Sequence, residues 1–290
     1  MTTDALINSC YLGDCRDGLQ AMIDAGIKAQ CCVTSTPYFN LRNYGVAGQI
    51  GLEKTPAEFI ETMVEVFELV FDVLADDGVL WLNLGDTSDG NKGILGIPWR
   101  VAFALQASGW ILRQDIIWSK PNAMPESVQD RCSKSHEYIF MLTKNPSYYY
   151  NADAIKERMK ESSKIRYQTG WNGDEIRDFP FGKNNNFSKL MGSDRAKQQA
   201  ETGLVNKRSV WTVATQNYSG RHFATFPEKL IEPMILASSR PNDIILDPFM
   251  GSGTVAQVAQ RFGRRWIGCE LNPNYLALQR QRTAQMGMAL

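Results

Sequence analysis

The 290-residue chain has no uninterrupted apolar run of the roughly 18 residues that a membrane-spanning helix needs, so no span is expected. Its first residues, Met1-Thr2-Thr3-Asp4, lack the basic-then-apolar order of a signal peptide, which makes a cytoplasmic location the default expectation. Cysteine spacing is equally uninformative for metals. Cys10, Cys15, Cys31, Cys32, Cys132 and Cys269 include no Cys-x-x-Cys pair, so a zinc site has no ligand spacing and no metal is expected. Without a secretion signal, a chain of this size gives no reason for a disulfide framework either. Cys31 and Cys32 lie in an apolar run and read as buried strand residues. Net charge is also missing: 31 Lys+Arg balance 31 Asp+Glu, which argues against a generic nucleic-acid coat.

The length suits one large α/β domain, or a core with a small inserted module. Over the first 150 residues, short apolar runs alternate with helical patterns, as a mostly parallel sheet requires. The strand candidates are Ala5–Ser9, Gln30–Ser35, Val79–Leu84, Asp115–Trp118 and Tyr138–Leu142. Between them, Pro56–Leu74 carries Phe59, Ile60, Met63, Val64, Phe67, Val70, Phe71 and Leu74 at helical spacing, with Pro56 at the first helical position. Ile97–Ser108 reads as a second helix. From Asn151 to about Asn206 the pattern dissolves into a polar stretch rich in Asn, Gly, Lys and Ser, with scattered aromatics from Tyr148 to Phe187. Residues 151–215 carry 12 Lys+Arg against 8 Asp+Glu, a modest basic bias that a solvated polar insertion would also show. Order returns at Ser209, with a helix opened by Phe226-Pro227-Glu228.

Asp243–Asp247 then reads as a buried strand, followed by Pro248-Phe249-Met250-Gly251-Ser252-Gly253-Thr254, a helix, and the strand Arg265–Glu270. Strand, glycine turn, helix, strand and terminal acid form the grammar of a nucleoside-cofactor site in a doubly wound sheet. Gly251 and Gly253 let the backbone turn tightly and approach a ligand. Glu270, 23 residues after Asp247, offers a carboxylate for ribose hydroxyls. The third glycine of the dinucleotide fingerprint is absent, so a phosphate-free adenosyl ligand is favoured over a pyrophosphate.

Asp247–Thr254 resembles the S-adenosylmethionine-binding motif of the amino-methylating (N6-adenine/N4-cytosine) DNA methyltransferases. Phe223-Ala224-Thr225-Phe226-Pro227 is similar to that family's segment holding the methionine end of the cofactor. Tyr11-Leu12-Gly13-Asp14-Cys15 resembles the segment whose acid contacts adenine. Thr34-Ser35-Thr36-Pro37-Tyr38, at the end of a strand candidate, resembles the catalytic Asp/Asn/Ser-Pro-Pro-Tyr/Phe motif, with Thr36 where the first Pro is expected. Because the catalytic motif precedes the cofactor motif, the order is similar to that of the β class.

The resemblance implies a Rossmann-like methyltransferase fold: a doubly wound, mostly parallel α/β sheet with an inserted, loop-rich target-recognition region. Residues 1–149 would form the catalytic half, 150–207 the recognition insertion, and 208–290 the S-adenosylmethionine-binding half. The cofactor would be held by Asp14, Cys15, Phe223, Thr225, Phe226, Asp247, Pro248, Phe249, Gly251, Ser252, Gly253, Thr254, Glu270, Leu271 and Asn272. Catalysis would rest on Ser35, Thr36, Pro37 and Tyr38. An exocyclic amine is a poor nucleophile because its lone pair is delocalised into the ring. Two acceptors, Ser35 Oγ and the carbonyl of residue 36, could favour a more reactive nitrogen. Tyr38 offers a ring on which a base rotated out of the duplex could stack, worth about 1–3 kcal/mol.

Threonine at position 36 frees the φ that proline would fix, so its carbonyl is less firmly aimed. For double-stranded DNA the candidate contacts are Lys164, Arg166 and Arg177, then Lys183, Lys189, Lys207 and Arg208, with Lys120, Arg131 and Ser135-His136-Glu137 lining a cleft. A homodimer, a cognate restriction nuclease and a bacterial or phage origin are family expectations. Ser at the first motif position is commoner in cytosine-N4 enzymes, yet adenine enzymes are more numerous in the class, and the expectation leans to adenine N6. With no Pro-Cys pair in the chain, cytosine carbon-5 chemistry is disfavoured. The rival readings are a protein glutamine-amide methyltransferase and an inactive DNA-binding relative.

Overall fold

Gln30–Ser35 runs through the middle of an eight-stranded sheet in the computed structural model, which describes residues 3–160, 201–215 and 227–284. In chain order the strands are β1 (Ser9–Leu12), β2 (Ala29–Ser35), β3 (Leu74–Leu84), β4 (Ile111–Ser119), β5 (His136–Thr143), β6 (Glu157–Arg158), β7 (Leu204–Val205), β8 (Val210–Thr212), β9 (Ile244–Asp247) and β10 (Arg265–Glu270). The helices are α1 (Thr3–Leu6), α2 (Cys15–Asp24), α3 (Pro56–Val73), α4 (Ile97–Ala107), α5 (Glu228–Ser238), α6 (Thr254–Arg261) and α7 (Leu276–Ala284). Two units result: Met1–Asn151 with Ser209–Leu290, and Ala152–Arg208. Within the smaller unit, β6 pairs antiparallel with β7, and Arg208 forms an ion pair with Glu157.

In the larger unit the strand order is β1-β10-β9-β2-β3-β5-β4-β8. Only β5 runs against its neighbours; every other pairing in this sheet is parallel. The fold is therefore the doubly wound, mostly parallel α/β sheet expected. β2 is buried at every position except Ser35, as a parallel strand covered on both faces must be. Side-chain alternation divides the core. Cys32, Leu80, Leu82 and Leu246 pack under α2, α3 and α4, while Cys31, Val33, Trp81 and Ile245 pack under α5 and α6.

Helix α3 shows how local sequence sets these layers. The Thr55 hydroxyl accepts from Glu58 N–H (3.2 Å), Pro56 opens the first turn, and Phe59, Met63, Val66, Phe67, Val70 and Val73 form the buried stripe. Truncating one of the fully buried phenylalanines, such as Phe67, would cost about 3–5 kcal/mol.

One expected strand is wrong. Residues within Ala5–Ser9 form the end of α1 and a turn, and the strand begins at Ser9. Asn8 takes a left-handed conformation (φ 55°), and its N–H and side chain pair with Trp266, which starts β1 in register beside β10. β2, β3, β4 and β5 extend beyond the expected runs, because the ladder continues past the apolar residues, while β9 starts one residue late at Ile244 and β10 has the expected bounds. Tyr148 and Tyr149, at the end of the expected catalytic half, lie in the larger unit. Tyr148 packs on the second core cluster, and Arg240 lies 3.8 Å over the Tyr149 ring.

Candidate active site

The strand order reverses between β9 and β2, and ligand crevices form at the carboxyl ends of strands at such a point. β2 ends at Ser35 and β9 at Asp247. The two ends are joined by a hydrogen bond in which the buried Thr34 hydroxyl donates to Asp247 Oδ1 (2.7 Å) across 213 residues of sequence. A cavity of about 590 Å³ opens here, lined by Ser35–Tyr38 on one side and by Asp247–Ser252 and Glu270–Asn272 on the other. The two motifs thus share one space.

The cofactor side is built by backbone. Gly251 and Gly253 both adopt positive φ (51° and 85°), where side chains are strained. A Cβ on Gly253 would also lie 3.1–3.2 Å from Gln279, which packs α7 against the turn and donates from Nε2 to Gly251 O (2.8 Å). Glu270 accepts from Gly251 N–H at Oε2 (2.8 Å) and from Asn272 N–H at Oε1 (2.7 Å). Each carboxylate oxygen keeps a lone pair that can accept from a ribose hydroxyl. Burial raises the Glu270 pKa, and these two amides oppose the rise. Asp247 Oδ1 also accepts from Phe249 N–H (3.1 Å), which closes the turn. Its pKa is pushed up to about 7, chiefly by burial.

Asp14 caps α2 and accepts from Arg16 N (2.9 Å), Nε (3.1 Å) and Nη2 (2.7 Å), and the guanidinium holds its pKa below the usual carboxylate range. Asp14 and Cys15 both line the cavity; the Cys15 thiol, its pKa raised to about 12 by burial, stays neutral. Thr254 lines it as well and accepts from Arg282 Nη1 (2.7 Å). Pro248, Phe249, Ser252 and Leu271 complete this wall. The residues suit an adenosyl ligand: close backbone approach, a carboxylate with spare acceptor capacity, and an apolar surface from Pro248 and Phe249. Phe223, Thr225 and Phe226 lie outside the described residues.

On the other side, the Tyr38 hydroxyl donates to Glu137 Oε2 (2.6 Å). Asn83, at the end of β3, donates to Ser35 Oγ (3.2 Å), the Tyr38 hydroxyl (2.7 Å) and Glu137 Oε2 (2.9 Å). Lys120 forms an ion pair with Glu137 and sits 4.2 Å from the centre of the Trp118 ring. Burial, followed by the Glu137 carboxylate, holds the Tyr38 phenol well above its ordinary pKa, so the hydroxyl remains a neutral donor. The Tyr38 ring rests against Gly85, where a Cβ would come within 2.3 Å of ring carbon Cε2. Thr36 is buried, lines the cavity, and its hydroxyl has no hydrogen-bond partner among the described residues.

A family model for DNA methylases matches residues 29–281. The chain belongs to that family. It is 40% identical over 294 residues to the Type II methyltransferase M.Cfr9I of Citrobacter freundii, covering 92% of this chain and 84% of the relative. It is 38% identical to the Type II methyltransferase M.SmaI of Serratia marcescens, covering 95% and 91%. Among solved structures it superposes on the PvuII DNA methyltransferase (cytosine-N4-specific) with a TM-score of 0.65 at 18% identity, covering 96% of this chain and 89% of that one. The M1.HpyAVI–SAM complex superposes with a TM-score of 0.56 at 19% identity, covering 95% and 98%. A DNA methylase of this family takes its methyl group from S-adenosylmethionine, and the match to the family model counts against the protein-amide reading.

Of the candidate DNA contacts in this methylase, Lys120 lies in the cavity, where its charge is taken by Glu137. Arg131 is paired with Glu126 (2.6 Å). Lys207 and Arg208 fall in the smaller unit, while Lys164, Arg166, Arg177, Lys183 and Lys189 lie outside the described residues. Sequence reasoning missed three contributors. Asn83 and Gly85 sit at the end of a strand with no motif around them. The loop of residues 41–50 adds Arg42, Tyr44 and Gln49 to the lining and carries no periodic signal.

Proposed function

We propose that this methylase transfers a methyl group to the exocyclic amine of a base rotated out of double-stranded DNA, at the cavity between Ser35 and Gly251. The single observation carrying this reading is that the Ser35–Tyr38 motif and the Asp247–Asn272 motif line one cavity. Glu270 and the Gly251 turn would hold the cofactor's ribose, with Asp14 and Cys15 at the adenine end. When bound, S-adenosylmethionine supplies an electrophilic sulfonium methyl. Ser35 Oγ and the Thr36 carbonyl would accept from the two amine hydrogens, which orients the nitrogen lone pair along the line of transfer. Tyr38, braced by Glu137 and Asn83, would give the base a face to stack on. The site thus contributes proximity and orientation rather than a strong base.

For the target we favour cytosine N4 over the adenine N6 towards which the size of each subfamily leans. Serine at the first motif position is commoner in cytosine-N4 enzymes, and this residue would meet the reacting amine, so it weighs more here than the size of a subfamily. The unit Ala152–Arg208 serves as the target-recognition element in this reading, with Lys207 and Arg208 among its phosphate or base contacts. A homodimer and a cognate restriction nuclease complete the proposal.

Incubating the protein with duplex DNA and tritiated S-adenosylmethionine, then digesting the DNA to nucleosides, tests the reading. N4-methyldeoxycytidine is the expected product, and N6-methyldeoxyadenosine would correct the base. Absence of label from DNA would overturn the function. Sequencing the modified DNA gives the recognition site.

A further inference from the structure

Two residues that line the cavity each bury a side-chain polar atom with no hydrogen-bond partner among the described residues: Thr36 Oγ1 and Asn83 Oδ1. Asn83 is already committed through its amide nitrogen to Ser35, Tyr38 and Glu137. Thr36 is only 3% exposed and makes no such bond, although the hydroxyls on either side are engaged, Thr34 with Asp247 and Ser35 with Asn83. Burying a hydroxyl without a partner is costly, and buried polar groups are nearly always paired. An orphan on a residue that lines a binding cavity is accounted for if a turn of its side chain brings it to a partner that arrives with the ligand. The proline of the family pattern has no polar side-chain atom, so whatever this hydroxyl does is particular to a chain with threonine here.

We infer that the Thr36 hydroxyl recognises the target base, donating a hydrogen bond to the ring nitrogen beside the exocyclic amine. The inference rests on the reading that the base enters between Ser35 and Tyr38. The chemistry of the bases selects this partner. Cytosine and adenine each present an amine donor next to an unprotonated ring nitrogen, N3 or N1. Guanine and thymine present a carbonyl next to a ring N–H. Ser35 Oγ and the Thr36 carbonyl supply acceptors for the amine, and a hydroxyl on the same residue supplies the donor that the neighbouring nitrogen needs. The pair of contacts reads amine and ring nitrogen together, and guanine or thymine would instead set a carbonyl oxygen against the backbone acceptor at residue 36. Thr36 is then a specificity determinant as well as a backbone acceptor.

The test uses the full-length protein and a duplex carrying its recognition site, with the target base natural or replaced by 3-deazacytosine (1-deazaadenine if the target is adenine). In the analogue a C–H replaces the ring nitrogen and the amine is kept. We expect wild type to lose roughly 10-fold in kcat/KM on the analogue, the scale of one lost hydrogen bond in a buried site. Thr36→Val should lose a similar factor on the natural base and no more on the analogue, and Thr36→Ser should behave as wild type. The melting temperature of Thr36→Val should match or exceed that of wild type, because the folded protein without ligand loses only an unpaired hydroxyl. Wild type indifferent to the analogue, or Thr36→Val paying the same analogue penalty as wild type, would overturn the inference. If Thr36→Val fails to fold, the wild-type comparison decides alone. Failure of wild type to methylate the natural duplex would instead remove the underlying functional reading.

Discussion

Replacing Gly85 by alanine should disable the site without removing any atom that meets substrate. A Cβ at this position would lie 2.3, 2.7 and 2.9 Å from ring carbons of Tyr38. Ordinary carbon contacts are about 3.6 Å, so the ring must retreat by roughly 1.3 Å. It cannot do so freely, because its hydroxyl is tied to Glu137 at 2.6 Å and to Asn83 at 2.7 Å. Overpacking of this kind costs about 1–3 kcal/mol, with up to about 1 kcal/mol more for each bond that breaks. Misplacing a stacking surface by about 1 Å is enough to lower turnover by roughly 100-fold. The assay is kcat from tritium incorporation into duplex DNA, alongside calorimetric titration of S-adenosylmethionine, whose affinity should hold because the Gly251 turn is untouched. Gly90→Ala is the control, since no atom lies within 4 Å of a Cβ there. A Gly85→Ala enzyme with the wild-type kcat and melting temperature would refute the argument that Tyr38 is held by this contact.

Ser35→Ala should lower kcat by roughly 100-fold while leaving DNA affinity in place, because the lost acceptor acts on the reacting amine; unchanged turnover in a single-turnover assay would remove Ser35 from the mechanism. Glu270→Ala should weaken cofactor binding by roughly 10- to 100-fold in a calorimetric titration, since both the ribose acceptor and the brace on Gly251 N–H go with it. Asp247, with its folded pKa raised to about 7 from an ordinary value of 3.8, binds its proton more tightly folded than unfolded. Its contribution to stability is therefore full below pH 3.8 and declines as pH rises towards 7. Chemical denaturation across that window should show wild type losing stability relative to Asp247→Asn as pH rises; parallel curves would contradict the burial of this carboxylate.

The apolar runs made the central strands legible, because β2, β3 and β9 are covered on both faces and their sequences show it. The Asp247–Thr254 turn was legible for a different reason: its glycines are required by backbone geometry. β1 was misread because it is an edge strand, only partly buried, whose start is fixed by Asn8 pairing with a residue 258 positions away. Glu137 was noticed only as part of a cleft. Its partnership with Tyr38, Asn83 and Lys120 joins β5, the β2 exit and the end of β4, a convergence that spacing along the chain does not reveal. The charge on Lys120, offered from sequence as lining a DNA cleft, is paired with Glu137 within the protein. The Thr36 departure was visible in the motif, but its meaning needed the burial of its hydroxyl.

The bond between Thr34 and Asp247 has a consequence for biosynthesis. The first strand of the reaction centre leaves the ribosome long before the last, and the contact that unites them has one of the longest loops to close in the chain. A chain that ends before Asp247 carries only one wall of the crevice. The crevice therefore closes only after both strand ends have been made, and a nick between them leaves its two walls on separate fragments.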